Sequence, residues 1–184
     1  MPVTQIDPVV ALVIIDLQKG IVAMPTAHPT GAVARNAAQL ARAFRKRNLP
    51  IVLVNVDQPA PGRTDAPRRS LSTMPPDWTE IAHELEPHPT DHRVTKRAPG
   101  AFLGTNLDQY LRQRNVTQIV LAGISTTAGV ESTARSAYDL GYNVVFASDA
   151  MTDLSLENHA HALEKIFPRF GEVDTTAAIL AKLK

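Results

Sequence analysis

Two kinds of apolar run alternate along the chain. Val9 to Ile15 is continuously apolar, as a central strand covered on both faces should be. From Gly31 to Arg47 the apolar positions Val33, Ala37, Leu40, Ala41 and Phe44 share one helical stripe. Pro50 to Val56 predicts a second strand, His92 to Lys96 a short third, Thr117 to Ala122 a fourth and Asn143 to Ala147 a fifth. Helices are predicted over Leu103 to Arg114, near Glu157 to Ile166 and from Thr175 to Leu183. Strands alternating with amphipathic helices predict a three-layer α/β fold with a mostly parallel sheet.

Between the fourth and fifth strands, Gly129 to Leu140 carries Val130, Ala134, Ala137 and Leu140 at helical spacing, with Gly141 where a C-terminal capping glycine belongs. Strand, tight turn and helix in this order present free backbone N–H groups and a positive dipole end. Such a turn suits either a reacting group or an ordinary parallel-sheet connection.

The region from Asp57 to Trp78 breaks the pattern with Pro59, Pro61, Pro67, Pro75, Pro76 and Gly62. Structureless stretches of this length inside a domain are usually functional or mobile. It reads as a wall over the sheet's carboxyl edge, the alternative being a surface insertion. Its Arg63, Arg68 and Arg69 either grip substrate carboxylates or are simply solvated.

Composition narrows the function. The 184 residues, 44% hydrophobic with net charge +1, suit one domain over 1–184 and supply no field for nucleic acid or a membrane surface. No apolar run approaches a membrane span, and Met-Pro-Val-Thr-Gln-Ile-Asp lacks the regions of a secretion signal, so a cytoplasmic location is expected. Without cysteine the chain has no disulfide and no thiolate. Nucleotide-binding glycine loops are absent, and His159 and His161, two apart on a predicted helix, do not share a face. No cofactor and no catalytic metal are expected.

Ligands of open parallel sheets bind at the carboxyl ends of strands. Asp16 follows the first strand, Lys96 ends the third and the Gly129 turn follows the fourth. Asp-Leu-Gln after an apolar strand, Lys96 ahead of Ala-Phe102, Gly-Ile-x-Thr before Val-x-x-Thr-Ala-Arg, and then Leu-Gly-Tyr and Asp-Ala form an ordered set. It resembles the isochorismatase-like (cysteine hydrolase) superfamily from about Val9 to Gly171. The resemblance implies a Rossmann-like sheet of about six parallel strands and a homodimer or higher homo-oligomer acting on a small molecule.

It also implies site residues. In amidase members a cysteine at the position of Gly129 attacks a carbonyl, with an aspartate matching Asp16 as base and a lysine matching Lys96 supporting the charges. Gly129 excludes that thiol attack. Isochorismatases proper resemble this chain in having glycine there, and their aspartate protonates a vinyl ether so that water completes hydrolysis. Asp16, Lys96 and Gly129 are the catalytic candidates. Gln18, Gln58, Phe102, Ser125 and Thr126 are the substrate-binding candidates. The family often has a cis peptide bond just before Ser125. The expectation is therefore a hydrolase without a cysteine nucleophile, acting on a small vinyl ether or anionic substrate. Its alternatives are a catalytically silent binding or scaffold homologue and a Cys-to-Gly inactive form of an amidase.

One physical condition attaches to this chemistry. A nearby lysine lowers an aspartate's pKa by roughly 1 to 3 units, which makes Asp16 a poorer acid. Burial between apolar walls, or an anionic substrate engaging Lys96, has to oppose it.

Overall fold

The computed structural model describes residues 2–65 and 74–183. Its six strands are β1 (Val10–Ile15), β2 (Ile51–Val56), β3 (His92–Lys96), β4 (Gln118–Ile124), β5 (Asn143–Thr152) and β6 (Glu172–Asp174). They form one sheet in the order β3-β2-β1-β4-β5-β6, every neighbouring pair parallel. The helices are α1 (Lys19–Val22), α2 (Thr30–Lys46), α3 (Leu107–Arg112), α4 (Glu131–Asp139), α5 (Leu156–His161) and α6 (Thr176–Lys182).

Strand β1 shows why the layers form. Val10, Leu12 and Ile14 enter one core with Leu40 and Phe44 of α2 and Ile179 of α6. Ala11, Val13 and Ile15 enter the opposite core with Leu111 of α3 and Ala134 and Ala137 of α4. A strand whose side chains alternate between two buried faces must be apolar throughout, which is what the unbroken run in the sequence encodes.

Three boundaries differ from the sequence reading. The helix expected from Leu103 begins only at Leu107, because Gly104 has φ +70° and Leu103 is an exposed turn residue. Strand β5 continues past the polar pair Ser148-Asp149 to Thr152, resuming its pairing with β4 after a register shift opposite Leu121/Gly123. The turn after β4 winds as a π-helical segment over Thr126–Val130 before α4, so helical winding begins at Thr126, ahead of the Gly129 start expected from the sequence. Such π turns are frequent at functional sites.

The chain builds β1, β2 and β3 outward in one direction and then returns to place β4 on the other side of β1. That reversal opens a crevice at the carboxyl ends of β1 and β4. No described helix is long and apolar enough to cross a membrane.

Candidate active site

Asp16 sits at the reversal, one residue beyond β1, with φ +52°. Few residues other than glycine adopt this left-handed backbone, and Asp is among the most tolerant of them. Its amide donates to the Val54 carbonyl oxygen at 2.9 Å, so β2 fixes the bend. The side chain reaches Lys96 across the end of β2, with Oδ2 2.8 Å from Nζ. Lys96 Nζ also donates to the Ala98 carbonyl oxygen at 3.2 Å. Both residues are nearly sealed from water, at 4% and 3% exposure. Asp16 Oδ1 is buried without a hydrogen-bond partner among the described residues.

Burial and the lysine pull the Asp16 carboxyl in opposite directions. Desolvation dominates and raises it from 3.8 to about 6, against the charge and hydrogen bond of Lys96. Burial in the protein itself thus opposes the lysine and outweighs it.

Gly129 faces this pair. A Cβ there would lie 2.8 Å from Ile15 Cγ2 and 3.3 Å from Asp16 Oδ2. The space a side chain would need is occupied by a β-branched methyl, which cannot swing away cheaply. The Ile124–Ser125 peptide bond is cis.

Asp16, Lys96, Gly129, Gln58 and Ser125 line one cavity of about 330 Å³. Its remaining walls are largely apolar, with Ile21, Met24, Val56, Pro59, Ile124 and Leu154 among them. Arg63 is exposed, and Arg68 and Arg69 lie outside the described residues. Gln18, Phe102 and Thr126 stand apart from the cavity lining. Gln18 spends its amide on backbone groups of Val56 and Trp78. Phe102 packs into the core on the α3 and α4 side and stacks near Tyr142, centroids 6.0 Å apart. Thr126 is buried with its Oγ1 2.8 Å from His159 Nδ1.

Asp153 is the site-supporting residue that sequence reasoning missed. Its Oδ2 accepts from Ser125 Oγ at 2.6 Å, Thr127 N–H at 2.7 Å and Thr127 Oγ1 at 2.8 Å. Its Oδ1 accepts from the Leu154 amide at 2.7 Å. Burial pushes this carboxyl up, but the hydrogen bonds from Ser125, Thr127 and Leu154 outweigh it and hold it below 3.8. A carboxylate so satisfied is too weak a base to make Ser125 a nucleophile, and it acts as an anchor for the turn. Asp153 directly follows β5, so the rule that singled out Asp16 and Lys96 would have found it had that strand's true end been visible. His159 adds a second support, its ring 4.8 Å from that of His28 in an edge contact.

Among the described residues no group of three or more His, Asp or Glu side chains is arranged to hold a metal. Asp57, just after β2, is engaged by Arg97 through both carboxylate oxygens.

The family pattern described as Isochorismatase domain matches residues 10–178. The chain belongs to the isochorismatase family. It is 48% identical over 181 residues to the isochorismatase family protein YwoC of Bacillus subtilis (strain 168), covering 95% of this chain and 94% of that one. An isochorismatase family protein from Burkholderia thailandensis superposes with a TM-score of 0.91 at 44% identity, over 97% of each chain. Streptothricin hydrolase of Streptomyces noursei is 34% identical over 142 residues, covering 76% of this chain and 48% of that protein. By kinship this is a member of the isochorismatase family, with the six-stranded parallel sheet of its structural relatives.

Proposed function

We propose that the protein hydrolyses a small vinyl ether or related substrate by general acid catalysis from Asp16, with no covalent enzyme intermediate. One observation carries the reading: the Asp16 carboxyl is raised to about 6 while its Oδ1 is buried and without a hydrogen-bond partner among the described residues. At pH 7 about one molecule in ten would carry the proton on such a group. Oδ1–H would give its proton to the terminal vinyl carbon, leaving an oxocarbenium ion. Water would then add to the cation and return a proton to Asp16, and the hemiketal would part into an alcohol and a carbonyl product. Lys96 holds Oδ2 and steadies the carboxylate while it is ionised. Gly129 lines the cavity without a side chain to press on Ile15 and Asp16, and Gln58 orients the substrate.

Positioned proton transfer supplies a factor of roughly 10² to 10⁴. Isochorismate and simple vinyl ethers, incubated with the native protein and with Asp16→Asn, test this. Turnover by the native chain, reduced by about that factor in the variant, is expected. Equal inactivity of both on these compounds would overturn it.

The closed Asp16–Lys96 pair at 2.8 Å favours one competing reading, a silent binding homologue in which the two charges only neutralise each other. Saturable binding of the same ethers without turnover would support it. A homodimer or higher assembly belongs to the proposal as well, supported by exposed Leu103, Leu154 and Leu156 and tested by sedimentation equilibrium.

A further inference from the structure

Gln18 lies two residues beyond Asp16 and is fully buried. Its Oε1 accepts from the Val56 N–H at 2.8 Å. Its Nε2 donates one hydrogen bond to the Val56 carbonyl oxygen at 3.1 Å and another to the Trp78 carbonyl oxygen at 3.0 Å. Val56 is where β2 ends, and Trp78 is where the chain returns after the proline-rich stretch, so one side-chain amide joins both ends of that stretch. Only an amide suits this position, because Val56 presents a donor and an acceptor together and Trp78 a second acceptor.

Neighbouring contacts hold the returning segment against the same residues. The Lys19 amide donates to the Glu80 carbonyl oxygen at 2.8 Å, the Gly20 amide to that of Trp78 at 3.0 Å and the Ala82 amide to that of Leu17 at 2.9 Å. Lys19 Nζ pairs with Asp77 at 3.0 Å and Glu80 at 2.7 Å. Approach is so close at Gly20 that a Cβ there would come within 2.7 Å of Trp78 Cβ. On its other side, the end of β2 leads into Val56, Gln58, Pro59 and Ala60, one wall of the cavity over Asp16.

We infer that Gln18 is a positioning residue that fixes the Val56–Ala60 wall relative to Asp16 by tying Val56 to Trp78. It touches no substrate and acts through the wall it holds.

Trp78 is the chain's one tryptophan, so its fluorescence reports this tie directly and without any turnover assay. Failure here would leave the general acid reading standing, and the reverse. In Gln18→Met, which keeps length and loses both polar functions, quenching of Trp78 by acrylamide should roughly double as the tie opens. Gln18→Glu should behave the same at pH 8 and recover toward the wild type on acidification, because a protonated carboxyl again offers a donor and an acceptor. Asp77, Glu80, Lys19 and Asp16 lie near the same tie, and any pH response that is not due to position 18 is given by the wild type and Gln18→Met across the same pH range. A side chain that only filled space would leave Gln18→Glu without any pH dependence of its own. Unchanged quenching in both variants, or Gln18→Glu matching Gln18→Met at every pH, would overturn the inference. Should either variant not fold, the wild type decides: both Gln18 side-chain amide protons should exchange slowly with water. Exchange as fast as in a free glutamine side chain would sink the proposal.

Discussion

Asp16 Oδ2 and Lys96 Nζ meet at 2.8 Å, yet the aspartate titrates above its ordinary value, because burial outweighs the lysine. Lys96 therefore restrains a carboxyl that would otherwise stay protonated to still higher pH. Carbon-13 titration of the Asp16 carboxyl should give a midpoint near 6, and Lys96→Met should move it further up. A downward move would show that the lysine is not the restraining charge.

The same shift has a sign for stability. A carboxyl whose folded value is raised binds its proton more tightly in the native state. The stabilisation from Asp16 is fully present below pH 3.8 and is lost as pH rises through about 6. Urea unfolding across that window, compared between wild type and Asp16→Asn, should show this fall only in the wild type.

At Gly129 a new Cβ would press on Ile15 Cγ2 at 2.8 Å. Gly129→Cys should therefore fold with a loss of about 1 to 3 kcal/mol, the usual cost of overpacking. Combining it with Ile15→Leu, which removes the obstructing branch, should recover part of that loss as a favourable coupling energy. Labelling of the new thiol by an iodoacetamide reagent would show that the amidase geometry persists around it.

Asp153 makes the opposite pH prediction. Its carboxyl is held below the ordinary value, so its contribution is present at neutral pH and lost as acid is added through the folded value. Asp153→Asn should cost about 1 to 3 kcal/mol at pH 7 and flatten the acid limb of the stability profile. Chemical denaturation at pH 7 and pH 3 measures both.

His159 should stay neutral below its ordinary 6.5, because burial and then His28 disfavour its charge more than Asp153 favours it. Nitrogen-15 titration should find its midpoint below that of an unperturbed histidine. Its stabilising contribution is present above pH 6.5 and lost on acidification through the folded value.

Periodicity made the layers legible: the unbroken run of β1 and the stripe of α2 announce a strand with two covered faces and a helix with one. Motif order made Asp16, Lys96 and Gly129 legible, and the cavity does bring them together. Burial was beyond reach, and burial decides the rest. Gln18 beside an acidic residue reads as a substrate group until its backbone partners are seen. Asp153 hid because Ser148-Asp149 looks like a strand's end when pairing in fact resumes beyond it. Thr126 and Phe102 carry family-like spacing, but their side chains point into packing that no local pattern encodes.

Asp16 is the acid of the proposed mechanism, and its left-handed backbone limits which residues could take its place. Residues with branched or longer side chains would strain that bend, so the path to another proton donor at this position is narrow. Asparagine can keep the turn while discarding the chemistry, which makes silencing by one mutation structurally easy and replacement of the acid difficult. Divergence toward new substrates would then proceed through the cavity walls, leaving the bend beneath them as it is.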